Sequence, residues 1–453
     1  MTDVKDDTLW QRSRRSRGES LVSRGKMASR IDYQQKFESF RDRTWYESLP
    51  REERDFIGSI AFAHRMTFQE FRQVVEASRD LDMWGEGTVK GWWQSQNGRA
   101  HGSGKVKGLL QELVAHLATL KRLPKSYPPT GLDKPARRDR KPIVTLRSDK
   151  KIWGRCPVAS EKTVCCNLWT IDAVENCVFG CSYCTVQTFY QDEILFDETF
   201  ADKIRDIPLD PDRFYHIGTG QASDSLAWGN RNGILDALCE FAVKHPNVLL
   251  ELKTKSDRVR YLLTNEVPEN VVCSWSLNTP TIIANEEHFT ANFDKRIEAA
   301  RSVADRGIKV AFHFHPMVCY DAWDVDYPRA ARDVMSLFES REVSFISFGS
   351  VTLIKPVISK IRELANQTKI LQMELVKDPH GKLTYPDPIK VAMFKTMYRS
   401  FEPWHDQVFM YLCMEKPAVW EKSLGYVYRS NEEFERDFAR KTLGGGTQGR
   451  PPS

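Results

Sequence analysis

The sequence predicts an α/β fold: a partial barrel of six β/α units with a helical N-terminal extension. Two patterns carry this expectation. Beyond residue 160, short apolar runs alternate with amphipathic helical stretches. The strand-like runs are TVCCNLWTI (163–171), RFYHIGT (213–219), NVLLELKT (247–254), NVVCSWSL (270–277), KVAFHFHP (309–316) and VSFISFGS (343–350). Repeated strand–helix alternation argues for a parallel sheet. Six units suit a partial barrel better than the closed eight-stranded form. The second pattern is upstream, where residues 33–125 carry apolar residues at three-to-four spacing, as amphipathic helices do.

Taken in order, residues 1–32 read as a flexible basic arm, with eight Lys/Arg against four Asp/Glu in the first 30. Residues 33–125 form the helical region. There Thr67 and Glu70 have the spacing of a capping box, and VKGLLQELVAHLATLKRL (106–123) is a further amphipathic run. The Gly- and Trp-rich stretch between these helices reads as a loop. Its Trp92 and Trp93 either stack on bases or, more commonly, pack the loop against its neighbours. Residues 126–160, with PPTGLDKPARRDRK, read as a basic Pro-rich linker. Residues 161–430 hold the barrel and a C-terminal segment, and 431–453 a last helix end and a flexible tail.

The composition bounds the function. At 41% hydrophobic and 11% aromatic, 453 residues can bury a substantial core. The 66 Lys+Arg against 61 Asp+Glu leave a net charge of +5, which permits a polyanionic partner without demanding one. No stretch approaches the roughly 18 apolar residues of a membrane span, and the N-terminus lacks the apolar run of a secretory signal. A cytoplasmic location is expected, with thiols kept reduced. Ten cysteines there suggest metal binding, catalysis or core packing rather than disulfides.

Three of those cysteines fall within eight residues, in ENCVFGCSYCTVQTFY: Cys177, Cys181 and Cys184, spaced C-x3-C-x2-C. The loop follows the first predicted strand, where a barrel places its ligands. Structural zinc takes four protein ligands, usually in two pairs. Three thiolates in one loop instead suit a [4Fe–4S] cluster with one iron left open. The polar and small flanks Asn176, Gly180 and Ser182 argue against three buried core thiols.

That motif in a partial barrel resembles the radical S-adenosylmethionine (SAM) superfamily, in which the open iron chelates SAM and one electron splits it to a 5′-deoxyadenosyl radical. Within it, CTVQT (184–188), GQASDSLAWG (220–229), LLELKTKSDRV (249–259), WSLNTPTII (275–283), FDKRIEAARSVADRGIKVAFHFHPMV (293–318) and YLCMEKPAVW (411–420) resemble segments of the spore photoproduct lyase-like family. The resemblance spans roughly residues 160–425. It implies that Cys177, Cys181 and Cys184 hold the cluster, and that Ser223, Asp224, Lys255, Ser276 and Asn278 contact SAM. Each of these side chains could instead serve a loop or a cap; Ser223 or Asp224 could cap the DSLAWG helix. The resemblance further implies a reducing partner such as a flavodoxin or ferredoxin, and a nucleic-acid base as substrate.

One departure stands out. The family cysteine that returns a hydrogen atom to the product radical is replaced by Gln221, which has no weak S–H bond. Cys319 and Cys413 are the candidate substitutes, and Tyr183 is a further catalytic candidate beside the cluster. His313, His315 and Met317 share strand parity with Cys319, so all four are expected at the barrel mouth. Cys165 and Cys166 read as core residues in mid-strand. The alternatives are radical modification of RNA, a peptide or a metabolite, or a non-catalytic iron–sulfur protein that binds nucleic acid. The helical N-terminal region is, on a further reading, a docking module for a protein partner.

Overall fold

A computed structural model describes residues 33–96, 105–134, 141–156, 162–189, 193–364 and 366–443. The basic arm and the terminal tail lie outside the described residues. The centre of the molecule is an eight-stranded sheet that curls into a partial barrel. Its strands are β1 (Trp153–Arg155), β2 (Trp169–Ile171), β3 (Tyr215–Thr219), β4 (Val248–Thr254), β5 (Val271–Leu277), β6 (Lys309–Met317), β7 (Val343–Ser350) and β8 (Phe409–Leu412). Neighbours in space are neighbours in sequence from β1 to β8. All pairs are parallel except β1 with β2. Sequential parallel order with no reversal is the winding of a barrel rather than of an open doubly wound sheet.

The parallel strands read as unbroken apolar runs because both faces are covered. Helices cover the outer face, and each buries an apolar stripe. Ile234–Lys244 buries Leu235, Leu238 and Phe241, and Phe293–Ala304 buries Ile297, Ala300 and Val303. The latter helix starts at Asn292, whose side chain accepts from the Lys295 amide at 2.9 Å.

The structure alters the expected strands at both edges. Strand β2 covers only 169–171 of the expected 163–171. The residues before it leave the sheet and cross to the far edge, where Val164 bridges Glu415 just past β8. Cys165 and Cys166 are therefore buried beside the barrel seam, not in mid-strand. Strands β1 and β8 were not expected. They are three and four residues long, too short for alternation to mark them. A stack of Trp153 on Trp169, 4.4 Å between ring centroids, holds β1 to β2. Ile143–Leu146, within the segment expected to be a linker, is also a strand and pairs with Ile194–Asp197.

The N-terminal region is helical: α1 (Tyr33–Arg41), α2 (Arg51–His64), α3 (Phe68–Trp84), α4 (Val89–Gln96) and α5 (Lys105–Arg122). The Thr67–Glu70 capping box opens α3. Helix α4 lies within the stretch expected to be a loop. It is capped from outside by the buried Glu53 of α2, which accepts from the amides of Val89 and Lys90 at 3.0 Å each. Trp93 is buried, and Trp92 stacks on His116 of α5. The pair packs the helices together.

These helices are joined to the barrel by polar contacts. Arg362 forks onto Asp80 at 2.7 and 2.8 Å, and Lys369 and Gln372 both bond Glu86 at 2.9 Å. A planar guanidinium matched to a carboxylate fixes orientation as well as distance.

Candidate active site

The cysteine loop is positioned by one residue in an unusual conformation and by one short strand pair. Asn176 has φ +73°, a left-handed conformation that asparagine tolerates better than most residues. Its carboxamide then ties the loop together, donating to the Glu193 carbonyl at 2.8 Å and accepting from the Cys177 amide at 2.8 Å and Lys141 Nζ at 2.7 Å. Four residues on, Gly180–Cys181 pairs antiparallel with Glu287–His288. The Ser182 amide extends that pairing by donating to the Glu286 carbonyl at 2.8 Å. A side chain at Gly180 would meet the Phe289 ring at 3.3 Å, so the close approach favours glycine.

The three thiols of this loop are close enough to influence one another electrostatically. Burial pushes the Cys177 thiol well up, and the neighbouring Cys184, Asp224 and Cys181 add to the shift. Burial likewise raises Cys181, against the pull of Lys255. Thiols held neutral in this way become ligands when a metal's charge deprotonates them. The Phe179 amide lies 3.5 Å from Cys177 Sγ, the kind of N–H to sulfur contact that tunes a cluster. Among the described residues, no three His, Cys, Asp or Glu converge closely enough to hold a single metal ion. The donor set of the loop is three thiols, the ligand type that iron–sulfur clusters take.

Beside the thiols lies a charge network that the sequence did not reveal. Glu287 is buried between Lys255, 3.1 Å away, and Arg296, at 2.6 Å. Burial works to raise its carboxyl, but the two cations outweigh that and hold it at about 2. Tyr183 donates a short hydrogen bond to the same carboxylate and receives one from Lys255 Nζ at 3.2 Å. Arg296 also donates to the Ser276 carbonyl at 2.7 Å and the Ala291 carbonyl at 2.8 Å. The cysteine loop, the end of β4 and the end of β5 are thus tied to one buried ion network. Lys255 keeps some exposure.

The other expected cofactor contacts fall into two groups. Ser223 accepts from Trp228 Nε1 at 3.3 Å, and the Ser276 hydroxyl has no partner among the described residues. Asp224 and Asn278 are committed within the protein. Asp224 accepts from the Leu226 and Ala227 amides at 3.1 and 2.8 Å, from Thr254 Oγ1 at 2.8 Å and from the Lys255 amide at 2.7 Å. It caps the turn after β3 and locks the end of β4. Asn278 is 0% exposed. It donates to the Pro316 carbonyl at 2.8 Å and accepts from the Thr279 amide at 3.1 Å and Tyr327 at 2.7 Å.

Inside the barrel, side chains stack in layers, as alternation along parallel strands requires. In the deep layer the Glu251 carboxylate meets His216 at 2.9 Å, His313 at 2.6 Å and the Ser274 hydroxyl. His313 also bonds Ser347 at 2.5 Å. His313 is therefore buried below the mouth, not at it. His315 stands one layer higher, its ring packed where a side chain on Gly349 would otherwise sit.

The two cysteine candidates part company. Cys319 lies against the buried Lys125 and near Asp324, and its amide bonds Tyr385 at 3.1 Å. Cys413 follows β8 in the same parity as Tyr411, which pairs with the lumen residue Ser347. It feels Lys253 of β4 and two seam thiols, Cys165 and Cys156. Strand parity puts Cys413 on the lumen face of β8, while Cys319 lies by Lys125 and Tyr385.

A parallel partial barrel with a three-thiol loop beside the mouth, past β2, is a radical SAM-like fold. Residues 166–375 match the family model "Spore photoproduct lyase". Two curated relatives carry that same name. One, from Clostridium acetobutylicum, is 24% identical over 202 residues, 43% of this chain and 60% of its own. The other, from Geobacillus sp., is 24% identical over 210 residues, 45% of this chain and 62% of its own. The chain thus spans about three-fifths of the length of the curated relatives it matches. Among solved structures, a spore photoproduct lyase mutant with dinucleoside spore photoproduct superposes with a TM-score of 0.51 at 18% identity, covering 67% of this chain and 94% of that one. A second mutant of the lyase gives the same score at 19% identity over the same shares. Over residues 166–375 the chain is therefore similar to the spore photoproduct lyase family, at the distance that 24% identity marks.

Among the described residues, no helix is long and apolar enough to cross a membrane.

Proposed function

We propose that this protein is a radical SAM enzyme, akin to spore photoproduct lyase, that abstracts a hydrogen atom from a nucleic-acid base. The observation that carries the reading is the three-thiol loop pinned to the Lys255–Glu287–Arg296 network beside the barrel mouth. Cys177, Cys181 and Cys184 would hold a [4Fe–4S] cluster, leaving one iron for SAM. When bound, the cluster supplies the electron that splits SAM into methionine and a 5′-deoxyadenosyl radical.

The protein's own residues do the rest. Lys255 offers the cofactor carboxylate a cation whose position is fixed by Glu287 and Tyr183. Ser223 and Ser276 are hydroxyls within the same rim and can bond SAM. Asp224 and Asn278 act as wall-holders, setting the ends of β3, β4 and β5 through their bonds to backbone and side chains. Placement of the radical against one C–H bond, with water kept out, is the main task of such a site. Cys413, facing the lumen, is the residue proposed to return a hydrogen atom in place of the Gln221 position.

The test is anaerobic. The protein is reconstituted with iron and sulfide, reduced, and given SAM with or without ultraviolet-irradiated DNA; 5′-deoxyadenosine is then quantified. Formation stimulated by irradiated DNA supports the reading. Formation indifferent to DNA retains the radical enzyme and removes the DNA substrate. An intact, reducible cluster that yields none overturns the enzyme and favours an iron–sulfur binding protein.

A further inference from the structure

Among the described residues, the barrel lumen contains a cation without a counter-charge. Alternation places Glu251, Lys253 and Lys255 on the same face of β4. Glu251 is taken by His216 and His313, and Lys255 by Tyr183 and Glu287. Lys253, between them, has no hydrogen-bond or ion-pair partner among the described residues. It is neither fully buried nor fully exposed.

Its neighbours in the layer sharpen the point. Two residues beyond the hydrogen-bonded Glu251–Ser274–His313–Ser347 layer, the same strands carry Lys253, Ser276, His315 and Gly349, and the parity of β8 adds Cys413. None is a carboxylate. The His315 imidazole, like the Ser276 hydroxyl, finds no protein partner among the described residues. Burial and Lys253 together hold His315 at about 3, so near neutral pH the ring is uncharged and keeps one N–H to donate. A partly desolvated ammonium is costly unless an anion joins it. A lysine, a histidine and a serine left with free donors on one level point to an oxyanion.

We propose that Lys253 and His315 form an oxyanion subsite in the lumen that takes a phosphate group of the nucleotide substrate. The proposal rests on the reading that substrate meets SAM in the lumen. The carboxylate of SAM is a second source of the same chemistry, but its expected cation is Lys255, beside the cysteine loop. Lys253 lies two residues further down the strand, about 6.6 Å deeper.

Two measurements on the reconstituted full chain test it. In the first, lysines are reductively methylated and the extent at Lys253 and Lys255 is read by peptide mass spectrometry. Inorganic phosphate is expected to protect Lys253 several-fold and leave Lys255 unchanged, while SAM protects Lys255. Protection of Lys253 by SAM alone, or by neither ligand, overturns the subsite. In the second, binding of a phosphodiester-linked thymidine dinucleotide is compared with its uncharged methylphosphonate analogue. The native protein should prefer the charged form by roughly tenfold, the effect of about one charge-assisted contact. Lys253→Gln should erase that preference and Lys253→Arg retain it. A preference that survives Lys253→Gln, or a native protein without one, overturns the proposal. Formation of 5′-deoxyadenosine from SAM alone, in native protein and in Lys253→Gln, separately tests the radical reading; its loss in both would indict that reading rather than the subsite.

Discussion

In the deep layer of the lumen, Glu251 meets His216, His313 and Ser274. One layer up, on three of the same strands, Lys253, Ser276 and His315 have no partner among the described residues. Both layers are polar, and both place histidine on β6. The deep one consumes its hydrogen-bonding capacity internally, above a floor that includes Phe345, Tyr411 and Phe438. The upper one keeps its donors for something that enters. Polarity inside a barrel is therefore a poor guide to function by itself; what distinguishes the layers is whether the polar atoms already have partners.

The largest expected effect lies above both layers, at the cysteine loop. Cys181→Ala removes a ligand from the centre of the C-x3-C-x2-C run. It should abolish the visible iron–sulfur absorbance and SAM cleavage together. SAM cleavage retained in this variant would show that the chemistry resides elsewhere and dissolve the contrast between an open mouth and a closed floor.

The deep layer should instead respond in stability. Glu251→Ala leaves two buried imidazoles without their shared acceptor and should cost about 3–5 kcal/mol in urea unfolding, while the folded fraction still takes up the cluster. The layer also predicts acid sensitivity. Burial and Lys253 lower His313 from 6.5 to about 4. The unfolded chain therefore gains a proton between those values that the folded chain refuses, and stability, full above pH 6.5, falls as pH drops through that window. Glu251 is held well below its usual value because its histidine partners outweigh burial. Its contribution is present above about pH 4.3 and is lost as pH falls further. Urea midpoints across this range that do not fall toward acid would mean that the layer is not the closed unit described.

How much of this was legible in the sequence varies with distance along the chain. The three thiols lie within eight residues, so a single loop displays them. Five of the six expected strands were legible along their length because buried parallel strands are long apolar runs. Glu287 and Arg296 were not: they come about a hundred residues after the cysteines and meet the loop through a two-residue strand pair and the Tyr183–Glu287 hydrogen bond. No local pattern encodes such a contact. Strand β8 has four residues, and residues 163–168 look like a strand because their composition is apolar, although they are diverted to the seam by pairing with Glu415. In NVLLELKT the glutamate and lysine interrupt an apolar run, which marks them as lumen-facing; which one finds a partner depends on β3 and β6 and cannot be read from β4.

A smaller effect separates the layers through packing. A methyl group on Gly349 would fall 2.6 Å from the His315 ring, so Gly349→Ala must displace that ring or the backbone. The expected cost is about 1–3 kcal/mol, again read from urea midpoints, with cluster uptake unchanged. An equally stable variant would mean that His315 moves freely and that the upper layer is less ordered than the lower.

The smallest effect on the protein itself is expected at the two cysteine candidates, and here the readout is chemical. Cys413 lies on the lumen side beside Lys253, whereas Cys319 packs against Lys125 and Tyr385 outside that path. Cys413→Ser keeps a similar volume and should shift stability by less than about 1 kcal/mol. Its O–H bond is too strong to yield a hydrogen atom readily, so product formed per 5′-deoxyadenosine should fall severalfold while 5′-deoxyadenosine formation itself persists. Cys319→Ser should leave both quantities unchanged. The opposite pattern would move the donor out of the lumen and make Cys413 one more packed thiol at the seam. If neither variant changes the ratio, the hydrogen atom comes from a group other than these thiols, and the replacement of the family cysteine by Gln221 marks a different final step.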